Sequence, residues 1–172
     1  THRLMFYLME SLIFGQGIER ARFPERYVVG CADAAMPLPP SLRSFLAIPN
    51  CPVHVMSFES AEFTKLAANY LLSASITAAN SLAELSSLLG ADWSSVENAL
   101  RDDERIGQRA YISAGLGIGG ANLNRDLHGI QELSNRLGAN STLVSTMLNH
   151  SEYMKNWCIR TLASLRQRQD VS

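Results

Sequence analysis

Cysteine is scarce in this chain: three residues in 172 (Cys31, Cys51 and Cys158), irregularly separated and with no Cys-x-x-Cys pair. That pattern excludes a disulfide framework and argues against a zinc site, which leaves reduced, mostly buried thiols of a cytoplasmic protein. An excess of one charge is missing too. The formal net charge is -1 and no block of like charges occurs, so the usual electrostatic basis for nucleic acid or an anionic membrane as partner is absent. No run of about 18 apolar residues exists, which rules out a transmembrane helix. The first residues do not form a basic-then-apolar signal segment. Four scattered histidines (His2, His54, His128, His150) lack partners at metal-ligand spacing, so no metal site is expected.

What is present is a globular balance, 47% hydrophobic and 18% charged, enough to bury a core in one domain of ordinary size. Three short apolar runs come first: Leu4–Leu8, Arg26–Cys31 and Pro52–Met56. Continuous apolar runs of this length read as buried strands. Between the second and third, Pro40 can open a short helix over Ser41–Ala47. Beyond Met56 the period changes. Ser57 or Ser60 can cap a helix, and Phe63, Leu66, Ala67, Tyr70, Leu71 and Ala74 recur at helical spacing, continuing through Leu82, Leu85 and Leu89 to a stop at Gly90. That helix is about 45 Å long at 1.5 Å per residue. Asp92 caps a short helix, a glycine-rich loop runs from Gly107 to Gly120, and two helices follow at Ala121–Leu137 and Thr142–Arg168. The last is expected to bury one stripe made of Leu143, Met147, Met154, Trp157, Thr161 and Leu165.

Three strands with so little helix around them do not make a self-sufficient sheet. The first third is expected to be the edge of a larger α/β sheet, and the chain to be an excised or proteolysed fragment. The long helix exposes more apolar surface than its short partners can cover, which predicts a homodimer through it.

Four segments, in order, carry a resemblance. Met9-Glu10-Ser11-Leu12-Ile13-Phe14-Gly15 stands where the UDP-glucose/GDP-mannose dehydrogenase family has Pro-Glu-Phe-Leu-x-Glu-Gly, with Met9 for the proline and Phe14 for the second glutamate. Arg22–Gly30 resembles that family's closing strand. Ser60–Asn69 resembles its helix motif, with Lys65 and Asn69 intact. Arg105-Ile106-Gly107, followed by Gly117–Asp126, is similar to its Gly-x-Gly-Gly-Ser-Cys-x-x-Lys-Asp.

The resemblance implies a mainly α fold. Residues 1–57 would be the C-terminal edge of a Rossmann-type, NAD-binding α/β domain, and 58–172 a helical central dimerisation domain. The C-terminal nucleotide-binding domain would be absent. NAD would serve the full-length parent and not bind this fragment, because the GxGxxG turn is missing and the Gly-rich stretch here follows a helix. The partner would be a nucleotide sugar oxidised at C6.

The family's site residues carry over to Lys65, Asn69, Asp126 and Glu10. Lys65 and Asn69, four apart, share a helix face and suit an alkoxide or oxyanion. Asp126 would accept a proton with the lysine and a water, and Glu10 would be a base for thioester hydrolysis. Arg105, Tyr111, Ser113, Gly115 and Gly119 would meet substrate, the loop before Gly117 being one residue longer than the family pattern. The plainer readings are a surface lysine, a helix asparagine, Asp126 paired with Arg125, and Arg105 paired with neighbouring acids.

The nucleophilic cysteine position is Asn122. A carboxamide forms no thiohemiacetal, so the covalent second oxidation is lost as normally written. Two further readings stay open. One is a non-catalytic homologue that binds nucleotide sugar or scaffolds a dimer; the other is a free-standing helical dimerisation module.

Overall fold

In a computed structural model, residues 4–10, 13 and 15–169 are described. Phe14, the departure in the first motif, falls outside them, as do Ser11, Leu12 and His2. The elements run β1 (Tyr7–Met9), α1 (Gly17–Arg22), β2 (Tyr27–Cys31), α2 (Pro40–Ala47), β3 (Val53–Ser57), α3 (Phe58–Leu88), α4 (Trp93–Arg101), α5 (Ala121–Leu137), α6 (Thr142–Lys155) and α7 (Trp157–Gln169). The chain is mainly α with one small sheet, and it divides into two compact units, 1–67 and 68–172.

The first unit is built on a sheet of order β1-β2-β3. β1 pairs antiparallel with β2, Tyr7 opposite Gly30, and β2 pairs parallel with β3, Tyr27 opposite Val53. The central strand is the most apolar, and Val28 through Cys31 are buried. A Cβ at Gly30 would lie 2.9 Å from the Ala61 Cβ and 3.3 Å from the Phe58 Cα. Only glycine there lets the first turns of α3 lie flat on the strand. β3 passes into α3 without a loop, and the Ser60 N–H donates to the Ser57 hydroxyl at 3.2 Å, which makes Ser57 the cap. Pro40 stands in the first turn of α2, as its missing N–H favours. α1 has no counterpart in the apolar periodicity, since none of its residues is buried.

The second unit holds the rest of α3 and everything after it. α3 stops where Gly90 takes φ 72° and the Ala91 N–H reaches back to the Ser86 carbonyl, a closure that needs a left-handed residue. Asp92 caps α4 through the N–H groups of Ser94 and Ser95. α5 ends the same way as α3, with Gly138 left-handed and the Ala139 N–H on the Ser134 carbonyl. The core is Ile118, Leu127, Val144, Met147 and Leu148, with Tyr70, Ala74, Ile76, Leu123 and Ile130 packed against it.

Three details differ from expectation. Of the apolar runs read as buried strands only the second is largely buried: Leu4 and Met5 are 67% and 76% exposed, and β3 runs from exposed to half-buried. The final helix is broken: Asn156 leaves helical geometry, its side chain donating to the Glu152 carbonyl, and the segment becomes α6 and α7. Asparagine competes for backbone groups in this way. The buried stripe keeps Met147 and Met154 but is completed by Val144, Leu148 and Ser151, leaving Leu143 55% and Trp157 44% exposed. The Leu165 side chain lies outside the described residues.

Leu127, 1% exposed, predicts its own test. Leu127→Ala should cost about 2–5 kcal/mol in urea unfolding, while Leu143→Ala should stay within about 0.5 kcal/mol; equal losses would contradict this core.

Candidate active site

Lys65 stands on the second turn of α3, exposed, and its ammonium donates to the Glu10 main-chain carbonyl at 3.1 Å. Glu10 therefore meets Lys65 through its backbone, just past β1, and its carboxylate belongs to an exposed residue. It borders a cavity of about 250 Å³ shared with Arg20, Arg26, Tyr27 and Phe45.

In the second unit, Asn69 and Asp126 come together. The Asn69 amide donates to Asp126 Oδ2 at 2.6 Å, and Arg125 donates to Oδ1 from Nε at 3.0 Å and Nη2 at 2.9 Å. Asp126 is 7% exposed, so these donors compensate a carboxylate withdrawn from water. The plainer pairing with Arg125 and the pairing between motif residues both exist. Asn69 is held on its other side by the helix itself, its carbonyl accepting from the Ser73 hydroxyl at 2.8 Å.

The loop 107–120 is shaped by side chains from the helices around it. The Gly115 N–H donates to Asn80 Oδ1 at 2.6 Å, and the Ile118 N–H to the Ser151 hydroxyl at 2.9 Å. Gly117 has φ 91° and presses on Ser151, whose carbonyl would be 2.7 Å from an added Cβ. Arg101 donates to the Gln108 and Ala110 carbonyls at 2.8 and 3.0 Å and to Ser113 Oγ at 3.2 Å. The Ser113 hydroxyl in turn donates to Glu97 at 2.6 Å. These bonds, with the Arg101 guanidinium, hold the Glu97 carboxyl below its usual range. A cavity of about 420 Å³ opens here, lined by Ile76, Arg101, Arg109, Tyr111, Ser113 and Gly115.

Arg101, Glu97, Asn80 and Ser151 were not singled out by sequence. Only Asn80, an amide within the small-residue run Ala78-Ala79-Asn80-Ser81, carries a local signal. Tyr111 is 42% exposed at the cavity, and Gly119 has open space around its Cα. Arg105 does not reach the cavity lining. Its side chain is 89% exposed and pairs with Asp103, two residues away. Asn122 is exposed in the first turn of α5, directly after Gly120, whose φ is 85°.

The residues present do not fit a dinucleotide phosphate cradle, which needs a strand, a glycine turn and a helix in a parallel βαβ unit. Gly15-Gln16-Gly17 does follow β1, but β1 is antiparallel to its neighbour, and the third glycine position is Arg20. Glycines 115–120 follow no strand. Among the described residues no three metal-ligating side chains converge, and no helix is long and apolar enough to cross a membrane.

Residues 59–153 match the model of the UDP-glucose/GDP-mannose dehydrogenase family, central domain. A UDP-glucose 6-dehydrogenase of Pseudomonas aeruginosa is 30% identical over 162 residues, covering 92% of this chain and 35% of the relative. A second, from Oryza sativa, is 32% identical over 122 residues, covering 69% and 25% respectively. The solved structure of a UDP-glucose dehydrogenase from Pyrobaculum islandicum superposes with a TM-score of 0.82 at 29% identity, over 95% of this chain and 37% of that one. The chain thus spans about a third or less of the length of these relatives.

The loop geometry gives a paired test. Gly117→Ala should lower stability by about 1–3 kcal/mol or more, because a strained φ and a clash coincide, whereas Gly119→Ala should change it by no more than about 0.5 kcal/mol. Thermal unfolding of the two variants separates them; equal midpoints would contradict the loop path.

Proposed function

The chain belongs to the UDP-glucose/GDP-mannose dehydrogenase family, and we propose that it is the central part of an NAD-dependent nucleotide-sugar 6-dehydrogenase. Residues 1–57 are read as the edge of the NAD-binding domain and 58–172 as the dimerisation domain of a longer cytoplasmic protein. In that protein NAD would supply the hydride acceptor, and no residue of this chain is assigned to hold it.

One observation carries the reading: Asn69 is bonded to Asp126 at 2.6 Å, with Lys65 one turn earlier on α3. In this proposal Lys65 faces the developing alkoxide, Asn69 orients a water or the oxyanion, and Asp126 takes up the proton. A carboxylate held from two sides keeps its orientation without rearrangement during the reaction. Tyr111, Ser113, Gly115 and Gly119 form the substrate-facing loop. Arg105, 89% exposed and paired among the described residues with Asp103, is assigned to a neighbouring subunit's substrate. Glu10 stands in the place of the family's base for thioester hydrolysis, a step that has no substrate where Asn122 replaces the cysteine.

Asn122 in the nucleophile position favours a single oxidation that stops at the aldehyde, or at its hydrate after water adds to it, with no thiohemiacetal formed. The same residue supports the second reading, a non-catalytic homologue that binds nucleotide sugar or scaffolds a dimer.

NADH released per sugar consumed by the complete protein decides between them. One equivalent is expected. Two would defeat the single-oxidation version, and none with several UDP- and GDP-sugars would defeat the enzyme. The 172-residue chain alone should show no turnover, and activity from it would contradict the placement of NAD.

A homodimer through α3 is also proposed. Leu71, Leu82, Leu85 and Leu89 follow one another at intervals of 11, 3 and 4 residues, a single helical stripe, and are 66%, 50%, 51% and 74% exposed. A stripe of this kind is covered most simply by its own copy across a two-fold axis. Light scattering at micromolar concentration should give twice the chain mass, shifting towards the monomer in Leu85→Glu; a monomeric parent chain would refute it.

A further inference from the structure

We infer that Arg101, locked by Glu97, is the positioning residue of the substrate-facing loop: it sets how Tyr111, Ser113 and Gly115 are presented while touching no substrate itself. The inference rests on the substrate role proposed above for that loop.

The count of donors carries it. A guanidinium has five N–H groups in a fixed plane, and protein acceptors stand opposite all of them. Nε and Nη2 donate to Glu97 Oε1 at 3.1 and 2.7 Å, Nη1 donates to the Gln108 and Ala110 carbonyls, and Nη2 also donates to Ser113 Oγ. No donor is left for a phosphate or a sugar hydroxyl, although Arg101 borders the loop cavity. Its charge is met by Glu97, both side chains being largely withdrawn from water at 21% and 17% exposure. A basic residue at the mouth of a cavity for a diphosphate ligand invites the reading of a direct anion contact; the geometry argues for a clamp.

The clamp reaches the loop at three successive points, residues 108, 110 and 113, across the stretch that contains Tyr111. Beyond it, Asn80 holds Gly115 and Ser151 holds Ile118. Arg101 makes three of the bonds that hold 108–113. Beside it, Trp93 Nε1 donates to the Ile112 carbonyl at 3.3 Å and Asp102 accepts from Gln108 at 2.8 Å, while 115–118 are held from α3 and α6. Lysine cannot replace it. A single ammonium on a flexible stem reaches one or two of these acceptors, and the planar fork is what spans Glu97 on one side and two carbonyls on the other.

Two measurements test the proposal, on the chain and on the complete protein. In the 172-residue chain, the Ala110 amide, bonded to the Gly107 carbonyl, should exchange with solvent at least about tenfold faster in Arg101→Lys, while the amides of Leu127 and Met147 stay as they were. Unchanged protection at Ala110 would overturn the clamp, and a uniform loss at all three would show a folding defect and overturn a loop-specific role. In the complete protein, Arg101→Lys and Glu97→Gln should each raise KM for the nucleotide sugar about tenfold with kcat held within about twofold, as expected for a change in binding geometry away from the reacting atoms. A fall in kcat at constant KM would overturn the positioning role. Absence of turnover in the wild-type protein would instead defeat the proposed function and with it the link to substrate, while amide exchange would still decide whether Arg101 anchors the loop.

Discussion

A glycine-rich loop has few side chains with which to hold itself, so the shape of loop 107–120 is imposed from outside. Three helices supply the anchors: Arg101 at the end of α4, Asn80 on α3 and Ser151 on α6. Each satisfies a main-chain group that would otherwise lie unpaired beside the core. The core cluster in turn includes Ile118, a loop residue 4% exposed, packed with Leu127 and Met147. Loop, core and helix ends are thus one cooperative arrangement, and the candidate substrate surface is rigid where it is anchored.

The same economy governs the buried carboxylate. Asp126 stands on α5 six residues after Gly120, whose positive φ directs the chain into the helix. Burying it alone would be costly, and Asn69 and Arg125 together remove that cost by filling both oxygens. The two donors differ in setting: the Asn69 amide reaches Asp126 from α3, whereas the Arg125 side chain is 69% exposed. A catalytic part for Asp126 and a stabilising one are compatible, since a carboxylate fixed for structure is also preorganised for proton transfer.

α3 carries two kinds of surface along one cylinder. Small and polar residues, among them Ser73, Ala79 and Asn80, are buried at 0–2% exposure, which lets neighbouring backbone come close. Leu71, Leu82, Leu85 and Leu88 stand outward. Such a division is hard to read from hydropathy, which assigns leucine to the inside and asparagine to the outside. The buried face follows once the helix has to meet a loop backbone there, as Asn80 does at Gly115.

Local chemistry was legible in advance wherever a residue acts through its own backbone or its nearest neighbours. Gly90 and Asp92 marked helix ends because left-handed φ and a capping carboxylate are local requirements. Pro40 and the three strand segments were visible for the same reason, whereas Lys65 and Asn69 stood out only through the resemblance of their motif, and four ordered motifs pointed to the family. Long-range pairing was not. The buried face of α6 and the loop partners of Arg101 depend on other elements, whereas the cap of α3 and the break at Asn156 are local, three and four residues apart, and turn on which of several equivalent polar groups takes the backbone. Arg101 lies in an acidic surface stretch, Arg101-Asp102-Asp103-Glu104-Arg105, where it looks interchangeable with Arg105. Tertiary structure separates them: Arg105 stays on the surface with Asp103, and Arg101 turns inward to three acceptors of the loop. Periodicity reports which face of a helix is apolar; it carries no record of where a planar five-donor group will find its acceptors.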